Sequence, residues 1–409
     1  MKSRRVIIAG GGASGLMAAI TAARNGAVVT IIEQKDQVGK KILSTGNGRC
    51  NLTNEYMALD CFRGDDLSIV SKVLGQFGYK EATKFFEELG VLLKSRQGYI
   101  YPISDQASTI LEVLRMEVER LQVEVVLEER IEEVCKTKKG FSIKTDKNTY
   151  TCDAVILATG GKAAPVLGSD GSGYNLAKSF GHSISPVVPA LVQLIGKETY
   201  FKQVAGVRTH ATVALYVDGE WAASDTGELQ LTGYGISGIP VFQISRYAAK
   251  AFYAKKSVTA EINFLPSMTE AEFIEFTTKR RLGHGYKTAE GFFVGMLHKK
   301  LAVMLLKAAN VPLYIAANDV LDEKWGKLLY LIQHFPVEIE GTNSFEQAQI
   351  CAGGVRTDEI NADTMESMYE KDLYLTGELL DVDGICGGYN LQWAWATGYI
   401  AGKNAAKGM

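Results

Sequence analysis

Apolar positions fall into two textures along the chain. Val6-Ile7-Ile8-Ala9 is a short unbroken run of β-type residues, the pattern of a strand buried on both faces, and residues 16–25 then read as a helix rich in alanine. Val28-Val29-Thr30-Ile31-Ile32 predicts a second such strand, residues 154–158 a third and Leu373-Tyr374-Leu375 a fourth. Residues 65–122 read as helices, with Ile110, Leu111, Leu114, Val118 and Leu121 on one stripe at helical spacing, a core-packing face. From residue 123 to 152 the pattern turns to short β-type runs broken by Lys138-Lys139-Gly140 and Asp146-Lys147-Asn148, which predicts a small antiparallel meander. Pro186 and Pro189 mark a further change, followed by the β-type run of residues 211–217. A helical stretch begins at Pro266, with Ser267 or Thr269 as N-cap and Glu270 or Glu272 three residues on, a capping box in either register.

This alternation predicts an α/β protein with a parallel sheet and a meander, interrupted by an inserted domain. The expected boundaries are 1–190 plus 345–409 for a discontinuous nucleotide-binding domain and 191–344 for the insertion, β-rich in its first half and helical in its second. Within the insertion, residues 231–240 read equally as a loop near a ligand or a structural turn, and Lys279-Arg280-Arg281 reads as a solvated helix end.

Composition narrows the function classes. With 409 residues, 46% hydrophobic and 22% charged, the chain holds two or three folded domains at roughly 150 residues each. Its formal charge of −2 offers no global attraction to nucleic acid or anionic lipid, so neither is expected as a partner. The six cysteines are scattered without metal-ligand spacing, which predicts reduced thiols, no metal and a cytoplasmic setting. Residues 1–5 are basic and residues 6–23 apolar, superficially like a signal peptide. Gly10, Gly11, Gly12 and Gly15 interrupt that stretch, and no other apolar run approaches the roughly 20 residues needed to span a bilayer, so the expectation is a soluble, unprocessed protein.

Those glycines have a chemical use. Gly10-Gly11-Gly12-Ala13-Ser14-Gly15 stands between a strand and a helix, and Glu33 ends the next strand about twenty residues after the first glycine. In this dinucleotide fingerprint Gly10 permits the tight turn, Gly12 lets the backbone approach a pyrophosphate and Gly15 lets helix and strand pack closely. The helix start offers amide donors and a positive dipole end, and Glu33 accepts from ribose hydroxyls. Either NAD or FAD satisfies the fingerprint. Thr159-Gly160-Gly161 adds a glycine turn after the third strand, and residues 377–392 an acidic, glycine-rich loop leading into a helix near Asn390. Amides at that helix start would stabilise negative charge developing on a reduced flavin.

The segment Lys40-Lys41-Ile42-Leu43-Ser44-Thr45-Gly46-Asn47-Gly48-Arg49-Cys50-Asn51-Leu52-Thr53-Asn54, with Gly377-Glu378 and the loop through Gln392, resembles the aminoacetone oxidase-like flavoproteins, a family that includes a bile-acid C=C reductase. The resemblance runs over nearly the whole chain. It implies a glutathione-reductase-type Rossmann domain binding FAD noncovalently, interrupted by an inserted domain. Matched by motif, FAD would be held by Gly10, Gly12, Ala13, Ser14 and Gly15, by Glu33 and Gln34, and by Lys41, Thr45, Gly46, Asn47, Gly48, Arg49, Cys50 and Asn51. Further implied contacts are Ile131, Thr159, Gly160 and Gly161, then Gly377, Glu378 and Asp383, and finally Gly388, Tyr389, Asn390, Leu391 and Gln392. Members often carry glycine where this chain has Asn47, a residue compatible with a turn.

The remaining residues restrict the chemistry. Cys50 has no partner before Cys61, which argues against dithiol chemistry and for a small buried residue. Gly168-Ser169-Asp170-Gly171-Ser172-Gly173 has the wrong glycine order and no preceding strand, so no second dinucleotide domain is expected. Either NADH or NADPH docks transiently over the flavin, or the substrate reduces FAD and oxygen reoxidises it. The five histidines read as surface or satisfied core groups. Lys41, Arg49 and Tyr389, with Tyr234, are the catalytic candidates, because a cation near the flavin stabilises its reduced form. The expected activity is an NAD(P)H-linked reduction of a small organic substrate by hydride transfer through flavin N5. An amine oxidase producing hydrogen peroxide is the alternative with the same cofactor, and a flavin-binding regulatory or RNA-associated protein is the alternative from another class.

Overall fold

Strand β1 (Arg5–Ala9) is buried from Val6 onward and lies between two parallel neighbours, with Val6 opposite Val29 on one side and Ala154 on the other. The computed structural model describes residues 3–407. Helix α1 (Ala13–Arg24) begins three residues earlier than the alanine pattern predicts, because Gly12 already serves as N-cap. Strand β2 (Val28–Ile32) follows. Five parallel strands form the sheet, in the order Leu373–Leu375, Ala154–Leu157, β1, β2 and Glu124–Val126. The last of these departs from expectation: it is the outer strand of the parallel sheet, not part of the meander. The meander itself is Ile131–Thr137, Gly140–Thr145 and Thr149–Cys152.

Residues 65–122 are helical only in part. Helices Ser68–Gln76, Tyr79–Glu88 and Ala107–Arg120 are present, but Leu93–Arg96 and Tyr99–Pro102 form an antiparallel hairpin between them. Gln97 and Gly98 make its two-residue turn, both at positive φ (53° and 88°), the conformation of a type I′ turn. In Ala107–Arg120 the stripe of Ile110, Leu111, Leu114 and Val118 is buried as predicted.

The chain forms two compact units, residues 1–188 with 349–409, and residues 189–348. The second unit contains a closed six-stranded barrel, ordered Leu194–Gly196, Gly235–Gly238, Glu220–Leu231, Arg208–Val217, Val258–Asn263 and Phe335–Thr342. Ala211, Val213 and Leu215 point inward at every second position, as do Phe335, Val337 and Ile339. The closing strand comes from the end of the segment expected to be helical, so the division into a β-rich and a helical half is corrected: β-structure brackets the helices. Residues 231–240 are neither all loop nor all turn, since Gly235–Gly238 is a barrel strand and helix Ile239–Tyr253 follows at once.

Helix Glu270–His284 is capped by Thr269, whose Oγ1 accepts from Glu272 N–H while Glu272 accepts from Thr269 N–H, resolving the register of the capping box. Arg280 and Arg281 correct the reading of a solvated helix end. Arg280 donates to the carbonyls of Phe292 and Val294, and Arg281 to those of Ala317, Asn318 and Val320, where they satisfy loop backbone. Among the described residues, no helix is long and apolar enough to cross a membrane, and no group of three or more His, Cys, Asp or Glu side chains is placed to hold a metal ion.

Candidate functional site

The turn between β1 and α1 forms one wall of a cleft whose lining residues all belong to the first unit. Gly10 adopts φ 101°, and a Cβ there would stand 2.6 Å from the Ala158 carbonyl oxygen, so only glycine permits the β1 turn to meet the neighbouring strand's end. At Gly12 the space where a Cβ would sit is open and faces the cleft. The start of α1 has no side-chain cap and no acidic residue in its first turn, leaving its amides and dipole directed at the cleft.

One end of the cleft is acidic. Glu33 is 8% exposed, accepting from Gly11 N–H at 2.8 Å through Oε2 and from Lys35 N–H at 2.9 Å through Oε1. Burial raises its carboxyl above the ordinary value, against those two backbone donors, which pull it down. Glu129, held by Asn148 and Tyr150, lines the cleft nearby, and Arg130 at the rim pairs with Asp170 at 2.9 Å. Gln34 donates to the Gly168 carbonyl at 2.7 Å, fixing the loop that carries Gly168 and Ser169 along the cleft.

Lys41, Glu378 and the start of helix Tyr389–Lys407 belong to another stretch of the lining. Asn390 clamps the Gly384 backbone with both ends of its side chain, each at 2.8 Å, which holds that helix start in place. Trp393 donates from its indole to the Gly377 carbonyl at 3.1 Å. Thr159 also lines the cleft, with its Oγ1 buried against Gly173.

The sequence-predicted residues divide into two groups. Gly10, Gly12, Ala13, Ser14, Glu33, Gln34, Lys41, Thr45, Ile131, Thr159, Gly160, Glu378, Asn390 and Leu391 line the cleft together. Gly15, residues 46–51, Gly161, Gly377, Asp383, Gly388, Tyr389 and Gln392 lie outside its lining. Gln392 is buried between Thr53 Oγ1 and the Phe77 carbonyl, a packing role. Cys50 is fully buried and its thiol is pushed up to about 12 by burial. Tyr389 packs edge-on to Phe62 at 5.8 Å, its phenol driven well above the ordinary range by burial and by Cys61. Arg49 is exposed beside Tyr101 and Asp105. Tyr234 belongs to the second unit, where its hydroxyl accepts from Asn343.

None of the five histidines lines the cleft. His182 is buried between Glu359 at 3.0 Å and Ser367 at 2.8 Å, the satisfied core histidine of the sequence reading. Sequence reasoning missed Glu129, Arg130, Gly168, Ser169 and Trp393. The first four stand on loops that only the tertiary fold brings to the cleft. Trp393 had a signal, since it follows Asn390 by three residues on the same helix.

The features of this cleft (an uncapped helix start, an acid at the end of β2 and open space at Gly12) fit the phosphates and ribose of FAD. Residues 4–404 match the model of the HI0933-like protein Rossmann domain. A 3-dehydro-bile acid delta(4,6)-reductase from Clostridium scindens is 52% identical over 405 residues, covering 98% of this chain and 99% of that protein. A ribosomal RNA dihydrouridine synthase from Haemophilus influenzae is 29% identical over 98% of each chain. Among solved structures, a 3-ketosteroid-delta4-(5alpha)-dehydrogenase from Rhodococcus jostii RHA1 shares the fold, with a TM-score of 0.52 at 15% identity over 99% of this chain and 97% of the other. The chain belongs to the HI0933-like Rossmann family and is an FAD-dependent oxidoreductase.

Proposed function

We propose that the protein uses NADH or NADPH to reduce a carbon–carbon double bond conjugated to a ketone in a small, steroid-like molecule. The observation that carries this reading is the 52% identity, across 98% of the chain, to a reductase named for double bonds of a 3-oxo bile acid. Bound FAD supplies hydride transfer at N5. The start of α1 would hold the pyrophosphate, Glu33 would take the ribose hydroxyls, and the amides at the start of helix Tyr389–Lys407 would favour negative charge at the ring. With a single dinucleotide fingerprint in the chain, the nicotinamide donor would dock transiently over the flavin.

The test is anaerobic. NADH or NADPH should bleach the visible flavin band of the FAD-loaded protein, and a 3-oxo steroid with a conjugated double bond should restore it while losing its own ultraviolet enone absorbance. A flavin that both nucleotides leave oxidised, or a reduced flavin that such enones leave bleached, overturns the reading. Oxygen uptake driven by an amine without nucleotide would mark an oxidase instead. A second reading, reduction of a uracil ring in ribosomal RNA, draws on the 29% identity to the Haemophilus influenzae synthase and calls for the same saturation of a double bond beside a carbonyl. The charge of −2 weighs against an RNA substrate, and RNA-driven reoxidation of the reduced flavin checks it.

A further inference from the structure

Lys41 and Glu378 are 337 residues apart in the chain, yet Lys41 Nζ stands 2.7 Å from Glu378 Oε2, with side-chain exposures of 24% and 20%. Glu378 is fixed from two further directions. Its Oε1 accepts the backbone N–H of Cys351 at 2.7 Å, and a Cβ on Gly161 would stand 3.2 Å from its Cγ and Cδ, so the glycine turn packs directly against the carboxylate. Two titratable neighbours here, Cys351 and Tyr174, are neutral, and the Asp381 carboxylate also acts on Tyr174. Burial holds the Cys351 thiol up at about 12 and drives the Tyr174 phenol well above its ordinary value, with Cys351 and Glu378 adding to the second effect. Neither group adds a negative charge of its own beside Glu378 at neutral pH.

The pair also lies at a defined part of the cleft. Glu33 bonds to Gly11 in the turn after β1, whereas Gly377, next to Glu378, packs against Ser14 in the first turn of α1, 2.7 Å from its Oγ by the position of an added Cβ. A dinucleotide with its pyrophosphate at the start of α1 and its adenosine ribose at Glu33 would run its redox ring away from Glu33. Lys41, Glu378, Asn390 and Leu391 all line the cleft there.

We propose that Lys41 and Glu378 form a compensating charge pair that sets how readily the bound FAD is reduced. This rests on the FAD assignment and is independent of the proposed substrate. Hydride transfer from NADH gives NAD⁺ and adds one negative charge to the cofactor, NADH + FAD → NAD⁺ + FADH⁻. Lys41 favours that charge, Glu378 opposes it, and in a half-buried cleft each acts more strongly than in water once its partner is removed.

The test measures the midpoint potential of the FAD-loaded protein against reference dyes at pH 8. E378Q keeps the shape and the acceptor for Cys351 N–H while freeing the lysine charge, and its potential should rise. K41M leaves the carboxylate uncompensated, and its potential should fall. K41R, which retains the charge, should stay near the unaltered protein, and K41M/E378Q should return toward it. Shifts of the same sign in E378Q and K41M, or no shift in variants that bind FAD, overturn the proposal. If K41M fails to hold FAD, a double variant no nearer the unaltered potential than E378Q overturns it as well. Potentials that move as stated in a protein inert toward every enone support the charge pair while removing the proposed substrate.

Discussion

Gly12 and Gly15 are three residues apart and serve the cleft in different ways. An added Cβ at Gly15 would collide with the Gly10 carbonyl oxygen, whereas at Gly12 it would meet no protein atom within 4 Å. G12A should therefore leave the apo protein within about 1 kcal/mol of its unaltered stability while weakening FAD binding at least about tenfold, roughly 1.4 kcal/mol, through contact with the pyrophosphate. G15A should lower both. Apo thermal unfolding and FAD titration separate the two outcomes, and equal loss of stability in both variants would count against a cofactor role for Gly12. Glu33 allows a pH test with a definite sign. Burial raises its folded-state carboxyl above the ordinary value, so its contribution to stability is complete below the ordinary carboxylate range and is lost as pH rises through the raised value. Relative to E33Q, the apo protein should lose stability as pH rises above the ordinary carboxylate range, as read by denaturant midpoints; a difference that does not change with pH would refute it. Gly10, Gly12 and Glu33 were legible because a fingerprint puts their chemistry at fixed spacing. Glu129 and Arg130 were not, since nothing local distinguishes them from other charged residues in a loop. Arg280 and Arg281 misled for the opposite reason: a basic run looks solvated until the carbonyls it satisfies are seen.

At the scale of elements, the contact that positions the cleft is α1 against helix Tyr389–Lys407. Gly398 and Gly402 are four apart, one turn of the same face, and an added Cβ at either would strike a backbone carbonyl of α1, that of Ser14 or of Ala18. The two helices approach at backbone distance, and the second glycine-bearing helix is thereby tied to the residue that lines the phosphate end. G398A should cost about 1–3 kcal/mol by overpacking and should also weaken FAD binding, because relief of the clash displaces Ser14. Chemical denaturation and FAD titration on the same variant check the coupling, and destabilisation with unchanged FAD affinity would refute it. Elsewhere the errors of sequence reading were errors of period. Gln97-Gly98 between two short β-type runs is a hairpin signal, submerged in a stretch whose flanks are truly helical. Phe335, Val337 and Ile339 alternate with exposed residues, a period of two that one proline and a helical neighbourhood obscured.

At the scale of the molecule, the α/β class and the parallel sheet followed from unbroken apolar strands joined by a glycine turn and helix, because such strands must be covered on both faces. The barrel did not follow, since closure depends on pairing Leu194–Gly196 with Phe335–Thr342, about 140 residues later, and no local pattern encodes that partner. Each unit has its own hydrophobic core, one around Ile8, Ile31, Ile156 and Leu375, the other around Val213, Leu229, Ile262 and Val337. All residues lining the FAD cleft belong to the first. A ligand stabilises what it binds by RT ln(1 + [L]/Kd), about 2.7 kcal/mol at a hundredfold excess over Kd, and it does nothing for a unit that folds without it. Calorimetry of the intact chain should therefore show two components, of which FAD raises one. Loss of the flavin spectrum should coincide with that component, together with exposure of Trp393 and Trp395, which are buried in the first unit; Trp325 in the second should report the transition that FAD leaves in place. A single transition that FAD shifts as a whole would mean that the two cores unfold as one cooperative body, and the expected division into a nucleotide-binding domain and an insertion would then describe architecture without describing stability.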